Sequence, residues 1–513
     1  MRQLIECVPN FSEGSNMDVI KQITDEIESV EGVNLLNVDP GKATNRTVVT
    51  FVGTPEEVID AAFLAIKKAS ELIDMSKHSG EHPRMGATDV CPLVPIANIE
   101  MDEVVKYAHK LGERVGKELG IPGYFYEYAA STEERRNLAV VRKGEYEALK
   151  AKLVDPQWQP DFGPAEFVKA KQTGATAISA RDFLIAYNVN LNTTSTRRAN
   201  AVAYDIREKG RIKRVGEVLS GDIVKDADGN TLWTPGKLKH VKAIGWYIEE
   251  YGVTQVTMNI TNITETPLHL AFDETAKAAN ARGIRATGSE LVGLVPKSAM
   301  LEAGKYFLRK QNRSTGIHES ELIKIAIKSM GLDELGPFIP EERIIEYMLE
   351  SGTDKKLVDL SLTDFANETA SESPAPGGGS ISAYAGALGI SLATMVANLS
   401  AHKRGWDERW EEFSDWADKG QILKDELLFL VDEDTNSFNK IMEAMCLPKG
   451  TDAEKKARKE AMDAATKYAI LTPFLVMEAS LKSMDIIQQM AEIGNPNSVT
   501  DAGVGALCAR TSV

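Results

Sequence analysis

The stretch Thr47-Val48-Val49-Thr50-Phe51-Val52-Gly53-Thr54-Pro55 decides how the first hundred residues fold. It joins a run of β-branched strand residues to a hydroxyl N-cap and a proline, which suits the first turn of a helix. On both sides of this stretch, the apolar spacing predicts strand 3–8, helix 17–30, strand 33–38, strand 47–52, helix 56–74 and strand 91–96. This β-α-β-β-α-β order is the ferredoxin-like one.

The same order returns after a connection at 156–164 that contains prolines and a tryptophan. The pattern there predicts strand 183–189, helix 195–209, strand 241–248, strand 254–260, helix 267–282 and strand 284–287. Thr266-Pro267 repeats the hydroxyl and proline of Thr54-Pro55, and 226–230 reads as a hairpin turn. We therefore predict an α+β protein that begins with two duplicated ferredoxin-like β-α-β-β-α-β modules.

An all-α helical domain is predicted after the second module. A Pro- and Gly-rich stretch ending at Ser380 leads into a helix of small residues, and helices are expected at 421–445, 452–468 and 473–490. The predicted domains are 1–180 and 181–327 for the two modules, 328–360 for a linker and 361–513 for the helical domain. The small-residue helix face suggests a homo-oligomer.

Composition narrows the class of protein. The 513 residues carry a formal net charge of −16, so we expect neither a nucleic-acid partner nor binding to an anionic membrane. No apolar run is judged to approach the length of a membrane span, and four cysteines lie far apart with no signal-peptide pattern at the start. A cytoplasmic enzyme is the expectation.

The loop from Lys77 to Gly86 concentrates reactive side chains. It holds His78, His82, Glu81 and Arg84, and Pro83 with two glycines excludes a helix. An imidazole beside a carboxylate and a guanidinium can transfer protons on an anionic substrate. The alternatives are a solvated polar turn and a metal site, but two histidines four residues apart share a metal best on a helix, so no metal is expected.

Longer sequence words carry a resemblance to a known family. Glu6 to Gly14, Thr44 to Thr47, Gly80 to Gly86 and Gly245-Trp246-Tyr247 resemble glutamate formimidoyltransferase. Ala375 to Ser380, Val431 to Asp434 and Leu447-Pro448-Lys449 resemble formimidoyltetrahydrofolate cyclodeaminase, which is fused to it in the bifunctional enzymes of histidine degradation. The resemblance implies formimidoyl transfer from N-formimidoyl-L-glutamate to N5 of polyglutamylated tetrahydrofolate, then ring closure to 5,10-methenyltetrahydrofolate with loss of ammonia.

The resemblance also implies site residues. His82 corresponds to the acid/base histidine of the transferase, and Asp434 to the acid/base aspartate of the cyclodeaminase. Folate would lie along segments that contain Gly163, Pro164, Phe167, Lys237, Lys239 and His240. On physical grounds we add Arg46 and Arg84 for the substrate carboxylates, and Asn10 from a candidate wall of the cleft between the modules.

Three other interpretations stay open at this stage. The family continues into further helices beyond Val513, so the cyclodeaminase domain is expected to be truncated and the chain could act as a transferase alone. A metal-dependent hydrolase using His78 and His82 is the second alternative, and a folate-binding scaffold without turnover is the third.

Overall fold

The computed structural model describes residues 3–41, 45–80, 83–216, 221–249, 251–350, 356–373 and 375–513. They form two compact units, an N-terminal unit of residues 1–297 and 334–351 and a C-terminal unit of residues 298–333 and 352–513. The division therefore differs from the predicted linker at 328–360, because 298–333 cluster with the C-terminal helices and 334–351 with the N-terminal unit. The chain is an α+β protein.

The first part of the N-terminal unit is one sheet with helices packed on it. Its elements are β1 (Leu4–Cys7), β2 (Asn10–Phe11), α1 (Met17–Glu28), β3 (Asn34–Gly41), β4 (Arg46–Gly53), α2 (Pro55–Leu72), β5 (Thr88–Ala97), α3 (Met101–Arg114), β6 (Gly123–Glu127), α4 (Leu138–Val141), α5 (Glu145–Lys152), α6 (Phe167–Thr173) and β7 (Thr176–Ala180). β1 and β2 lie between β4 and β5, β3 pairs outside β4, and all these pairs are antiparallel.

Two strands of this sheet were not predicted. β7 pairs in parallel with β5, and β6 pairs in parallel with β7, which extends the sheet beyond the four expected strands. Strand alternation places Ile5 and Cys7 in the apolar core under α1 and α2, so that Glu6 faces the opposite side of the sheet. Thr54 caps α2 as expected, in a reciprocal capping box with Glu57.

A second sheet follows in the same unit. Its elements are β8 (Ile185–Leu191), α7 (Thr196–Ile206), β9 (Arg211–Ile212), β10 (Arg214–Val215), β11 (Asp222–Ile223), β12 (Trp233–Thr234), β13 (Val241–Ile248), β14 (Val253–Ile260), α8 (Leu268–Asn280) and β15 (Ala286–Val292). The main strands are antiparallel in the order β13-β14-β8-β15. The expected hairpin turn is present, since the Asp226 amide donates to the Asn230 carbonyl at 2.9 Å.

The expected helix start at Thr266-Pro267 is shifted by one residue. Pro267 is the N-cap of α8, and the Thr266 hydroxyl donates to the Lys239 carbonyl at 2.7 Å instead of capping the helix. A tertiary hydrogen bond therefore replaces the local one that the sequence pattern suggested.

The remaining elements are helices. They are α9 (Lys297–Arg309), α10 (Glu319–Met330), α11 (Pro340–Arg343), α12 (Ile345–Glu350), α13 (Leu362–Thr369), α14 (Gly378–Ala401), α15 (Trp410–Cys446), α16 (Asp452–Ile493) and α17 (Val499–Ser512). The small residues of α14 form the centre of the C-terminal unit, with Ala383, Ala387, Ala393 and Ala397 at most 2% exposed. Small side chains let neighbouring helices approach closely.

The helices predicted at 452–468 and 473–490 are one helix, so that prediction was wrong. Pro473 lies inside α16. A proline removes one backbone hydrogen bond and crowds the preceding turn, but it does not oblige a helix to end. Buried side chains on both sides of it, including Thr472, Val476 and Ala479, hold α16 together through packing.

The prediction that no apolar run approaches the length of a membrane span is wrong for α14. α14 has 24 residues and a mean hydropathy of 1.5 over its most apolar window, which is enough to cross a bilayer by length and composition. More than half of that window, 56%, is buried inside the protein. A buried core helix passes the same test, so this is weak evidence for a membrane span.

Candidate active site

A cavity of about 620 Å³ lies between the two sheets of the N-terminal unit. The first sheet contributes Asn10, Arg46 and Tyr126, and the second contributes Lys242 and Asn259. Pro83, which follows His82 in the chain, also lines the cavity. Two of the predicted substrate-binding residues, Asn10 and Arg46, therefore meet beside the predicted catalytic loop.

The cavity wall is rich in cations. Arg46, Arg142, Lys143, Arg181 and Lys242 line it, against two carboxylates, Glu127 and Glu145. Burial and the nearby Arg142 lower the pKa of Arg46, which indicates positive groups crowded in a poorly hydrated space. Such a wall attracts an anion, and this is a local exception in a chain of net charge −16.

Arg142 combines a structural contact with a free donor. Its Nη2 donates to Asp89, whose side chain is 1% exposed. Its Nε is buried and finds no hydrogen-bond partner among the residues that the structure describes. A buried polar group without a partner is costly, so a ligand that accepts a hydrogen bond here would relieve that cost.

His82 and Glu81 lie outside the described residues, but both ends of their loop are fixed. On the N-terminal side, the side-chain Nδ2 of Asn45 donates to the Ser79 carbonyl at 2.8 Å. On the C-terminal side, the Met85 amide donates to Asp89 at 2.9 Å, and the Ser12 hydroxyl donates to the Gly86 carbonyl at 2.8 Å.

Arg84 is engaged within the chain. Its Nη1 donates to Glu145 and Glu147, its Nη2 to Glu147 and the His78 carbonyl, and its Nε to the His78 ring. All five N–H donors of the guanidinium are used in these contacts. Arg84 was proposed for a substrate carboxylate, but in this arrangement it organises the loop and offers no donor to a ligand.

Both ring nitrogens of His78 are also occupied. Nδ1 accepts from Arg84 at 3.3 Å, so Nε2 carries the proton and donates to the Asn45 carbonyl at 3.1 Å. Among the described residues no group of three or more His, Cys, Asp or Glu side chains could hold a metal ion. His78 is thus placed as a positioning residue for Arg84 and Asn45.

Glu127 was missed by the sequence reasoning. It ends β6 with φ of 50°, a left-handed conformation that a glutamate rarely adopts, and its side chain lines the cavity. Burial raises its pKa, while Arg181 opposes that rise. A strained, partly buried carboxyl in a cationic cavity is typical of functional sites, yet nothing in the local sequence marks it.

Gly163 and Pro164, two of the predicted folate residues, lie apart from this wall. Phe162, just before Gly163 and Pro164, bridges to Gly123 at the start of β6, whereas Tyr126 near the other end of β6 lines the cavity. Three strand residues span about 10 Å. An ion pair anchors the start of the segment that contains Gly163 and Pro164, because Asp161 pairs with Arg135 at 2.6 Å and both side chains are at most 10% exposed.

Phe167 is closer to the cavity. Its ring lies 6.2 Å from that of Tyr146, which directly follows the cavity-lining Glu145. Lys237, Lys239 and His240 are exposed and immediately precede β13. The His240 carbonyl accepts from the amide of Thr261 at 2.9 Å, and Thr261 lines the cavity. The basic cluster of Lys237, Lys239 and His240 therefore borders the cavity rim.

A second site forms where two C-terminal motifs meet. Asp434 on α15 accepts from the Ser380 amide at 3.0 Å and from the Ser380 hydroxyl at 3.2 Å, at the first turn of α14. A Cβ on Gly379 would lie 2.2 Å from an Asp434 carboxylate oxygen, so a larger residue there would displace this carboxylate. The free amides of a helix start favour an anion there. The glycine-rich segment that ends at Ser380 and the acidic segment that contains Asp434 are thus in contact and form one candidate site.

The two acidic neighbours of Asp434 contact different elements. Asp432 accepts from the Leu357 amide at 2.6 Å, and burial raises its pKa. Glu433 accepts from the Tyr468 hydroxyl at 2.5 Å, and burial with this hydrogen bond raises the pKa of Tyr468 to about 12. Successive helix residues point about 100° apart, which explains the three separate partners. The acidic run is therefore not a solvated face.

Comparison with known proteins places both sites in one family. Residues 4–181 match the formiminotransferase domain, N-terminal subdomain; residues 186–350 match the formiminotransferase domain; and residues 361–513 match the family described as formiminotransferase-cyclodeaminase. The chain is 44% identical over 507 residues to formimidoyltransferase-cyclodeaminase from Gallus gallus, which covers 99% of this chain and 90% of that protein.

Two further relatives are each similar to part of the chain. Glutamate formimidoyltransferase from Thermoplasma acidophilum is 41% identical over 326 residues, covering 63% of this chain and 98% of that protein. Methenyltetrahydrofolate cyclohydrolase from Methylorubrum extorquens is 34% identical over 149 residues, covering 29% of this chain and 72% of that protein. Across nearly its whole length, the chain belongs to the formimidoyltransferase-cyclodeaminase family.

Proposed function

We propose that this protein transfers the formimidoyl group of N-formimidoyl-L-glutamate to N5 of tetrahydrofolate and then closes the ring to 5,10-methenyltetrahydrofolate with release of ammonia. The two steps belong to histidine degradation. The observation that carries the transferase half is the cavity beside Pro83, with five cations on its wall. N-formimidoyl-L-glutamate brings two carboxylates, and guanidinium groups bind carboxylates with two parallel hydrogen bonds.

Within this cavity, Arg46 and Arg142 are the groups we assign to the substrate carboxylates. Arg46 lines it at the start of β4, and Arg142 contributes the buried Nε that lacks a partner among the described residues. Fixing both carboxylates would hold the amidine carbon in one place relative to the loop that carries His82. Arg84 pairs with Glu145, which lines the cavity, and with Glu147, and so helps to hold the cavity wall in place.

The transfer itself needs one proton acceptor that becomes a donor. N5 of tetrahydrofolate attacks the amidine carbon, and the positively charged nitrogen that forms loses its proton to the His82 imidazole. The carbon–nitrogen bond to glutamate then breaks while the imidazolium returns the proton to the departing nitrogen. Histidine suits both steps because its ordinary pKa lies near neutral pH.

The basic cluster of Lys237, Lys239 and His240 is proposed to receive the polyglutamate tail of the folate. These side chains are exposed next to the cavity rim, where a flexible anionic tail can reach them from the cavity. Gly163, Pro164 and Phe167 would contact the more distant part of the folate. No metal ion is assigned a role in this reaction.

Cyclodeamination is proposed at Asp434. N10 attacks the formimidoyl carbon, and the amino nitrogen leaves as ammonia after it gains a proton. The Asp434 carboxyl can shuttle this proton from N10 to the leaving group, and Ser380 orients the carboxyl through two hydrogen bonds. The fit of Gly379 against the carboxylate supports a site built around this side chain.

We also propose a duplicated fold, a homo-oligomeric state and a cytoplasmic location for this protein. The strand orders β3-β4-(β1, β2)-β5 and β13-β14-β8-β15 support two duplicated ferredoxin-like modules. Exposed apolar side chains on α15 and α16, such as Phe429, Phe474 and Leu481 at 58–65%, support a homo-oligomer. Four free cysteines support a cytoplasmic location, where thiols stay reduced.

The test is a coupled assay with the purified protein. N-formimidoyl-L-glutamate and tetrahydrofolate are added together, methenyltetrahydrofolate is followed by absorbance, and ammonia is measured in parallel. The proposal expects both products in equal amounts, and neither when tetrahydrofolate is omitted. Ammonia or formate release without folate would instead identify a hydrolase.

A further inference from the structure

Glu6 places a carboxyl where strand structure favours an apolar residue. It is the third residue of β1, with only 4% of its surface exposed, and its neighbours Ile5 and Cys7 are fully buried in the core on the other face. Glu6 lines a second cavity of the N-terminal unit, of about 390 Å³. Burying a carboxyl costs free energy unless it is paired, so its presence here calls for a partner.

The second cavity adjoins the cationic one but differs in chemistry. Arg181 and Leu184 line both cavities, so the two share a wall. Around Glu6 the second cavity presents Asp39 from β3, Arg181 after β7 and Arg343 at the end of α11, which are its charged groups, together with the ring of Phe183. It thus combines hydrogen-bond acceptors with a flat apolar wall, and the cationic cavity lies next to it.

We propose that Glu6 is a specificity-determining residue that binds the 2-amino-4-oxopyrimidine edge of the tetrahydrofolate pteridine. This inference rests on the proposed function. The pteridine N3–H and one 2-amino N–H point side by side, and a carboxylate accepts two such parallel hydrogen bonds. The ring would lie against Phe183, and the benzoylglutamate carboxylates would extend toward the cationic cavity.

The state of Glu6 without a ligand supports this assignment. Among the residues that the structure describes, none donates a hydrogen bond to its carboxylate, and Arg181 is the charged group that favours ionisation. Burial outweighs Arg181 and raises the pKa of Glu6 to about 7. A ligand with two N–H donors would satisfy both oxygens and hold the carboxylate in its charged form.

The experiment compares two ligands on two proteins by calorimetry. The ligands are 5-formyltetrahydrofolate and its analogue with a methyl group in place of the 2-amino group, and the proteins are the full chain and Glu6→Gln. Glutamine keeps the shape but presents an N–H₂ to a donor edge, so we expect affinity for 5-formyltetrahydrofolate to fall about 10- to 100-fold. The methyl analogue keeps N3–H but lacks the second donor, so its affinity should fall by a smaller factor in Glu6→Gln. Glu31→Gln, at an exposed turn, is the matched control and should change neither.

The unmodified protein gives a second readout that does not depend on any variant folding. Its affinity for 5-formyltetrahydrofolate should fall as the pH drops below about 7, whereas its affinity for the methyl analogue should not follow the same curve. Equal losses for both ligands in Glu6→Gln, or identical pH curves, would overturn the inference. Failure of formimidoyl transfer in the unmodified protein would refute the proposed function, while the ligand discrimination would still decide the role of Glu6.

Discussion

Glu6→Gln should stabilise the N-terminal unit in alkaline solution while it weakens folate binding. Burial raises the pKa of Glu6 from its ordinary 4.5 to about 7, so the folded state favours the neutral carboxyl. The stability from this preference is complete below pH 4.5 and is lost as the pH rises through about 7. The gap between the two pKa values corresponds to about 3 kcal/mol of unfolding free energy. Glutamine is neutral throughout and does not lose it.

The assay is amide hydrogen exchange of β1, which reports the opening free energy of this unit without assuming that the two-unit chain unfolds in one step. The difference between Glu6→Gln and the unmodified protein should grow by about 3 kcal/mol from pH 4.5 to pH 8. Glu31→Gln should differ from the unmodified protein by less than about 0.5 kcal/mol at either pH. A Glu6→Gln variant that is less stable at pH 8 would show that the carboxylate has a structural partner and would refute the reasoning.

Three further experiments with substituted proteins test the assigned residues. His82→Ala should lower the rate of formimidoyl transfer about 10²- to 10⁴-fold, because it removes the proton carrier. His78→Ala, the control, should lower this rate much less. Near-normal turnover of His82→Ala in a steady-state assay would contradict the assignment. Replacing Lys237 and Lys239 by alanine should weaken binding of polyglutamylated folate more than that of monoglutamylated folate, increasingly at low salt. A loss independent of tail length in titrations would mean that the lysines are only solvated. Asp434→Asn should stop ammonia release and accumulate 5-formimidoyltetrahydrofolate at an unchanged transfer rate; continued ammonia release would exclude the carboxyl as proton shuttle.

The order of the main strands and helices around both sheets of the N-terminal unit follows from local patterns. Period-2 and 3.6-residue apolar spacing give β4, α2, β13 and β14 within a residue or two of their observed bounds. The continuity of α16 through Pro473 could not be predicted this way, because packing on both sides of the proline decides whether the helix ends there.

The candidate site was only partly predictable for a related reason. Arg46 was predicted as a guanidinium able to bind a carboxylate, and Asn10 as part of a candidate cleft wall, and both line the cavity. Arg142, Arg181 and Lys242 come from three distant segments and meet only in the folded sheet arrangement. The sequence alone does not show that these three cations lie close together, because their proximity depends on how the two sheets face each other.

Arg84 is a predicted ligand-binding residue whose hydrogen-bond donors are occupied within the protein. Its place in the predicted catalytic loop suggested a ligand contact, but Glu145 and Glu147, about sixty residues away in sequence, occupy its donors. The sequence does not distinguish an arginine that binds a substrate from one that stabilises a loop. Only the count of its partners in the folded protein separates the two roles.

The most direct test of the account follows the transferred carbon itself. N-formimidoyl-L-glutamate labelled with ¹³C in the formimidoyl group is mixed with tetrahydrofolate and an equal amount of the protein, and the label is followed by NMR. The account predicts that the signal moves first to 5-formimidoyltetrahydrofolate and then to 5,10-methenyltetrahydrofolate, with glutamate released in the first step. Label that appears in formate or formamide, or that stays on glutamate while folate remains bound, would contradict it.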